Sequence, residues 1–195
     1  MTVLHGLSHC KIARLTALRG VPIVAFRLFQ EALMSFESAH SELDEHWMRE
    51  AFRAATEARL RAEVPVGACI VSAGEMLAVA GNRTRTDSDP TAHAEIVALR
   101  EAARKLVNYR LNDAVVYSTI EPCAMCAGAL IQARVRRLVY GARDERAGAI
   151  DSHFGICATD FLNHRIEITA GVLEAECRTM MQEFFQARRI MSDKL

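Results

Sequence analysis

The chain has 195 residues, 51% of them apolar and 25% charged, a balance that fits one globular domain with a short extra segment and excludes disorder, collagen-like repeats and low-complexity arrays. The 24 Lys and Arg residues cancel the 24 Asp and Glu, so a nucleic-acid partner would have to be met by a local basic patch. No apolar run reaches the ~20 residues of a membrane-spanning helix, which excludes an integral helical membrane protein.

Residues 1–40 stand apart. No acidic residue precedes Glu31, while Lys11, Arg14, Arg19 and Arg27 are basic. The apolar stretch Val21–Phe29 is interrupted by Pro22 and Arg27 and lies too far from the start for a secretory signal. The segment reads as a poorly ordered N-terminal extension. It is either an Arg-rich targeting-type leader or an upstream start preceding Met34. The domain proper is expected over 41–195.

From Ser41 the pattern becomes regular. Trp47, Met48, Ala51, Phe52 and Ala55 recur at helical spacing, opposite Arg49, Glu50, Arg53 and Glu57. Val64-Pro65-Val66-Gly67 closes this helix and opens a strand, Ala68–Val71. Ala73-Gly74 is a turn and Met76–Ala80 the return strand. A polar loop runs from Gly81 to Pro90. Asp89 or Thr91 would cap a second helix, lined by Ile96, Leu99, Ala103 and Leu106. Ala114–Thr119 is a short strand, Pro122 starts a third helix, and Val135–Tyr140 is a further strand. Arg165–Thr169 reads as an edge strand. The last helix carries Leu173, Cys177, Met180, Met181, Phe184 and Phe185, a stripe that reads as core. Strands alternating with helices of this length predict a three-layer α/β domain.

The six cysteines are of two kinds. Cys10, Cys69, Cys157 and Cys177 are scattered and read as ordinary thiols of a reducing compartment, the cytoplasm. Cys123 and Cys126 form a C-x-x-C pair after Pro122, which in such a compartment is metal-binding or redox-active. Upstream lies Asp89-Pro90-Thr91-Ala92-His93-Ala94-Glu95. Both motifs fall at predicted helix starts.

Cys123 and Cys126 are i and i+3, so their sulfurs share a helix face and can grip one ion. Thiolates favour zinc. With His93 they make three ligands, and a tetrahedral ion with one corner left for water is a catalytic arrangement. His153, His164 and Cys157 could supply a fourth ligand only if folding brought them close. Side chains at a helix start lean back towards its tip. Glu95 can therefore face that water as general base and then general acid. A redox pair of the thioredoxin kind would need no H-x-E upstream.

H-x-E followed by P-C-x-x-C resembles the zinc-dependent nucleobase deaminases. From Ser41 to Arg189 the chain is similar to the bacterial tRNA-specific adenosine deaminase family. The resemblance is carried by Glu63–Ala68, Asp89–Ile96, Asn108–Leu111, Cys123–Ala129, Gly141–Asp144 and Asn163–Arg165. It implies a cytidine-deaminase-like α/β fold with a mixed sheet of about five strands flanked by helices. It also implies one zinc ion per subunit on His93, Cys123 and Cys126, with Glu95 moving protons. Asn82 would contact the base, and Asp144 would lie near the RNA strand. The implied reaction is adenosine to inosine at the wobble position of an arginine tRNA anticodon loop, by a cytoplasmic homodimer.

The loop Arg83–Ser88 and the segment Asp151–Asp160 depart from the family pattern. Arg134, Arg136, Arg137, Arg143 and Arg146, with Arg188 and Arg189, are the candidate basic patch for RNA. Two rivals share the motif. One is a deaminase of free guanine or deoxycytidylate. The other is a non-catalytic zinc subunit, against which the presence of Glu95 counts.

Overall fold

Neither glycine nor proline occurs between Ile23 and Leu60, and in the computed structural model these residues form one helix, α1 (Ile23–Leu60). The structure describes residues 23–159 and 161–192. The expectations for residues 1–22 lie outside them. The helix starts well before Ser41, where the apolar spacing first becomes regular, because nothing in the intervening sequence breaks it. The backbone divides into two units, Met1–Ser41 and Glu42–Leu195. In the first, residues 23–41 are helical, and the strands all belong to the second.

Strands β1 (Gly67–Ser72) and β2 (Glu75–Gly81) form a hairpin. Its turn residues, Ala73 and Gly74, both have positive φ (51° and 78°), the primed geometry that suits strand twist. Helix α2 (Ala94–Leu106), strand β3 (Val115–Ile120), helix α3 (Ala124–Gln132) and strand β4 (Arg137–Ala142) follow. A single 3-10 turn (Ile156–Ala158), strand β5 (Glu167–Ala170) and helix α4 (Glu174–Ser192) complete the order. The sheet runs β2-β1-β3-β4-β5, with β3/β4 and β4/β5 parallel and the other pairs antiparallel. It is the mixed five-stranded sheet that the family resemblance implies, and β5 lies at an edge as its sequence predicts.

Alternation along β3 sets the layers. Tyr117 donates its hydroxyl to Asp44 of α1 at 2.9 Å, whereas its neighbour Ser118 faces Glu95 of α2. One position further on, Gly141 of β4 lies against Cys177 of α4. Helices α1 and α4 therefore cover one face, and α2 and α3 the other. The core between them includes Met48, Ile70, Val116, Leu130, Leu138 and Tyr140. Helix α1 comes unusually near the hairpin: a Cβ on Gly67 would stand 1.9 Å from the Ala51 carbonyl, and one on Gly81 2.5 Å from that of Ala54.

Three expectations shift. Strand β4 begins at Arg137 rather than Val135. Val135 is fully buried, but in the turn after α3, where its N–H donates to the Leu130 carbonyl. Burial alone made it look like strand. Helix α2 buries Ile96 and Leu99 as expected, together with Ala94, Ala98 and Ala102, while Leu106 is exposed in a last turn closed by Val107 in the left-handed conformation. The cap of α2 also moves, as described below.

Candidate metal centre

Two helix starts meet beside the C-terminal end of the central strand β3. Helix α2 is capped by His93 (φ −67°, ψ 153°) and α3 by Cys123 (φ −71°, ψ 173°), and neither side chain makes a capping hydrogen bond. Each is therefore free to point off its helix tip. The cap expected at Asp89 or Thr91 is absent because Asp89 Oδ1 accepts from the Thr91 N–H at 2.8 Å and hydroxyl at 2.7 Å. That local turn uses up the oxygen a cap would need. The helix consequently opens four residues later than Pro90 suggests.

His93 Nδ1 lies 3.6 Å from both Cys123 Sγ and Cys126 Sγ, and the three donor atoms lie within 4.8 Å of one another. With ordinary Zn–N and Zn–S lengths, a tetrahedral ion places N and S ligands about 3.6 Å apart. The nitrogen–sulfur spacing fits zinc without rearrangement. His153 donates from Nε2 to the Glu145 carbonyl and His164 from Nε2 to the Val135 carbonyl, both at 2.7 Å. Neither they nor the buried Cys157 join the cluster. Among the described residues it is a group of three, leaving one tetrahedral corner to a non-protein ligand.

The electrostatics suit a cation. Hydrogen bonding with Cys126 holds the Cys123 thiol far below its ordinary range, against burial and with help from His93. The Cys126 proton is correspondingly retained, first by the hydrogen bond to Cys123 and then by burial. Contact with Cys123 raises His93. Glu95, 2% exposed, accepts from Cys126 Sγ at 3.5 Å, and its Oε1 lies 3.2 Å from the Ser118 hydroxyl. Burial pushes its carboxyl upward.

His93, Cys123 and Glu95 form the floor of a cavity of about 520 Å³, within the ~300–1,000 Å³ usual for small-ligand sites. Val64, Val66, Asn82 and Thr84 line one wall, and Asp144, Arg146 and Ala147 the other. Asn82 and Asp144 are thus both brought to the site. The Asp144 side chain also organises its own loop, its Oδ1 accepting from the Arg146 N–H at 2.9 Å and the Ala147 N–H at 3.2 Å.

Met181 and Phe185 of α4 reach the cavity too. Phe185 is 38% exposed, so the α4 stripe is core only in part, at Cys177, Met180 and Phe184. Arg137 leaves the expected basic patch altogether: it grips Asp44 with bonds of 3.0 and 2.7 Å. Arg146 remains, and with Phe185, Arg188 and Arg189 it lines a second hollow of about 340 Å³ beside the first.

Sequence reasoning gave no role to two buried carboxylates that shape these walls. Glu121, 1% exposed, accepts from the N–H groups of Asp144, Ile150, Asp151 and Ser152 at 3.1, 3.0, 2.7 and 2.9 Å, and from the Ser152 hydroxyl. Glu63, with no exposed surface, binds the loop that carries Asn82 and Thr84. The only available signal was an acidic residue set between apolar ones in each motif.

Residues 41–142 match the model of the cytidine and deoxycytidylate deaminase zinc-binding region. The chain is 45% identical over 157 residues to the tRNA-specific adenosine deaminase of Haemophilus influenzae, covering 80% of this chain and 91% of that protein. It belongs to the tRNA-specific adenosine deaminase family. The deaminase also superposes on a structure from a study of A-to-I editing by tRNA:A34 deaminases at the wobble position, with a TM-score of 0.68 and 42% identity. That match covers 69% of this chain and 98% of the other. A guanine deaminase from Nitrosomonas europaea shares the fold at 26% identity and a TM-score of 0.62, covering 72% and 83% of the two chains.

Proposed function

We propose that this deaminase hydrolyses the wobble adenosine of a tRNA anticodon loop to inosine. The observation that carries the reading is the His93–Cys123–Cys126 cluster with Glu95 buried beside it, on the floor of a cavity large enough for a base. Relatives named for this reaction, spanned over nine-tenths of their length, support the choice of substrate. An anticodon loop is single-stranded, so presenting its base costs only a few kcal/mol of unstacking.

His93, Cys123 and Cys126 hold one zinc ion per subunit. Bound there, zinc acts as a Lewis acid that brings the pKa of water from 15.7 to roughly 7. Glu95 takes the proton of the attacking water and delivers it to a ring nitrogen. The C6–O bond forms in that step; Glu95 then carries the remaining proton of the new C6 hydroxyl to N6, so that the C6–N6 bond breaks, the C6 carbonyl forms and ammonia departs. Such proton transfer is worth about 10²- to 10⁴-fold in rate. Asn82 on one wall contacts the base. Asp144 on the other lies beside the RNA strand. An arginine tRNA as substrate, a homodimer and a cytoplasmic location rest on the family resemblance and, for the last, on five described cysteines that are free thiols.

The test is sequencing of tRNA after incubation with zinc-loaded protein. An A-to-G change at the first anticodon position supports the reading. Ammonia release from guanine or deoxycytidylate, with the tRNA unchanged, overturns it in favour of a free-base or nucleotide deaminase.

A further inference from the structure

Glu63 touches neither the cluster nor Glu95, yet its fully buried carboxylate is saturated with hydrogen bonds. Oε1 accepts from the Arg85 N–H at 2.9 Å, the Thr86 N–H at 2.6 Å and the Thr86 hydroxyl at 2.9 Å. Oε2 accepts from the Thr84 hydroxyl at 3.2 Å and from Asn82 Nδ2 at 3.4 Å. Asn82 Nδ2 also donates to Thr84 Oγ1 at 3.2 Å. An isolated buried carboxylate is costly, so this one persists because the loop surrounds it with donors.

The same loop is tied to the metal cluster through the backbone. Arg83 N–H donates to the carbonyl of Ala92, the residue before His93, at 2.9 Å, and Asn82 N–H donates to the Val66 carbonyl at 2.9 Å. Because a carboxylate only accepts, the amide end of Asn82 that faces Glu63 is its nitrogen, and the amide plane is fixed. Asn82 and Thr84 are the two polar side chains on that cavity wall.

We propose that Glu63 is a positioning residue: its carboxylate, with the Thr84 hydroxyl that it holds, sets the Asn82 amide on the cavity wall, and through that amide the seat of the substrate base. This inference rests on the functional reading above. Glu63→Gln is the incisive change. It keeps the shape, but it replaces an acceptor oxygen with an NH₂ group that meets donors from the loop. Nothing in it alters the cluster or Glu95.

A double-mutant cycle with Asn82→Ala, read on an anticodon stem-loop RNA, separates positioning from general damage. Glu63→Gln is expected to lower kcat/KM by about 10- to 100-fold when Asn82 is present, the scale of a lost charge-assisted hydrogen bond. KM should rise more than kcat falls, and zinc content should be unchanged. In the Asn82→Ala background the same substitution should cost less than about threefold. Equal losses in both backgrounds, or no loss in either, would overturn the proposal. Should Glu63→Gln fail to fold, Thr86→Val trims one bond from the exposed side and is read in the same cycle, with a smaller loss of about three- to fivefold expected only when Asn82 is present. If the wild type deaminates guanine rather than RNA, the functional reading fails and the cycle is read on guanine. If the wild type edits RNA and the losses simply multiply, this inference alone fails.

Discussion

Gly148 presses its backbone against the carboxylate of Glu121: a Cβ there would lie 2.4 Å from the carboxyl carbon and 2.5 Å from the Asp144 carbonyl oxygen. Neither neighbour can yield, since Glu121 is held by four loop N–H groups and Asp144 begins that loop. Gly148→Ala should therefore cost about 1–3 kcal/mol of stability through overpacking. It should also displace Asp144 and Arg146 and lower kcat/KM, while zinc content holds. Thermal unfolding, metal analysis and kinetics on one preparation check this.

Glu95→Ala should leave zinc bound and reduce turnover by at least about 10²-fold. Cys123→Ser should lose both. Chelation of the wild type should abolish activity and lower Tm, and added zinc should restore them, because a ligand that binds only the folded state stabilises it. Metal content per chain, measured alongside kcat, distinguishes the two variants. Surviving activity in Glu95→Ala would end the proton-transfer assignment.

Acid should unfold the protein through its anchoring carboxylates. Burial raises both Glu63 and Glu121, but the hydrogen bonds from Thr86, Thr84 and Arg85 to the first, and from Ser152, Asp151 and Asp144 to the second, outweigh it and hold each below the ordinary range. A carboxyl depressed in the folded state contributes stability that is fully present above its unfolded pKa of about 4.3 and is lost as pH falls further, through the folded value. Tm should be flat with respect to these groups near neutrality and fall steeply below about pH 4.3. Glu63→Gln should be less stable at neutral pH and show a shallower acid limb. A Tm series over pH, run for both proteins, decides it.

Asp44 and Arg137 form a nearly buried pair, 6% and 18% exposed at the side chain, that also receives the Tyr117 hydroxyl. It joins α1 to β3 and β4, on the face of the sheet opposite Ser118 and Glu95. Asp44→Ala strands a buried guanidinium and should cost about 3–5 kcal/mol, visible as a lower urea midpoint. Specific activity of the folded fraction should change little.

Arg146 stands at the cavity rim and is exposed. Reversing its charge with Arg146→Glu should weaken RNA binding more at 50 mM than at 200 mM salt, and lower the slope of log K against log salt by about one or more. Binding measured at several salt concentrations checks this. A loss independent of salt would remove Arg146 from the electrostatic contacts.

The parts that the sequence disclosed are those written in short range. The hairpin followed from Ala73-Gly74, β3 from a compact apolar run, and the metal trio from two motifs whose residue types have few other uses together. The misplaced α2 cap shows the limit of that reading. Asp89 is a good cap by type, but its own neighbour Thr91 takes its oxygen, and His93, a poor cap, stands at the boundary because its ring is needed elsewhere. Glu63 and Glu121 were hidden for a different reason. Their partners lie 19 to 31 residues away, and nothing local distinguishes an acid that will be wrapped by a distant loop from one that will sit in water. Phe185 was hidden because helical periodicity marks a face without saying whether that face meets a sheet or a cavity.

The near contact of α1 with the hairpin sets a tolerance for change. Where Gly67 and Gly81 meet the carbonyls of Ala51 and Ala54, backbone lies on backbone and there is no rotamer to adjust. Apolar side chains elsewhere in the interior can trade shape with their neighbours, one enlarging as another shrinks. These two positions have no such partner to bargain with. A single added methyl would have to lift the helix bodily, and the wall that Val66 and Asn82 lend to the cavity begins one residue beyond each of them.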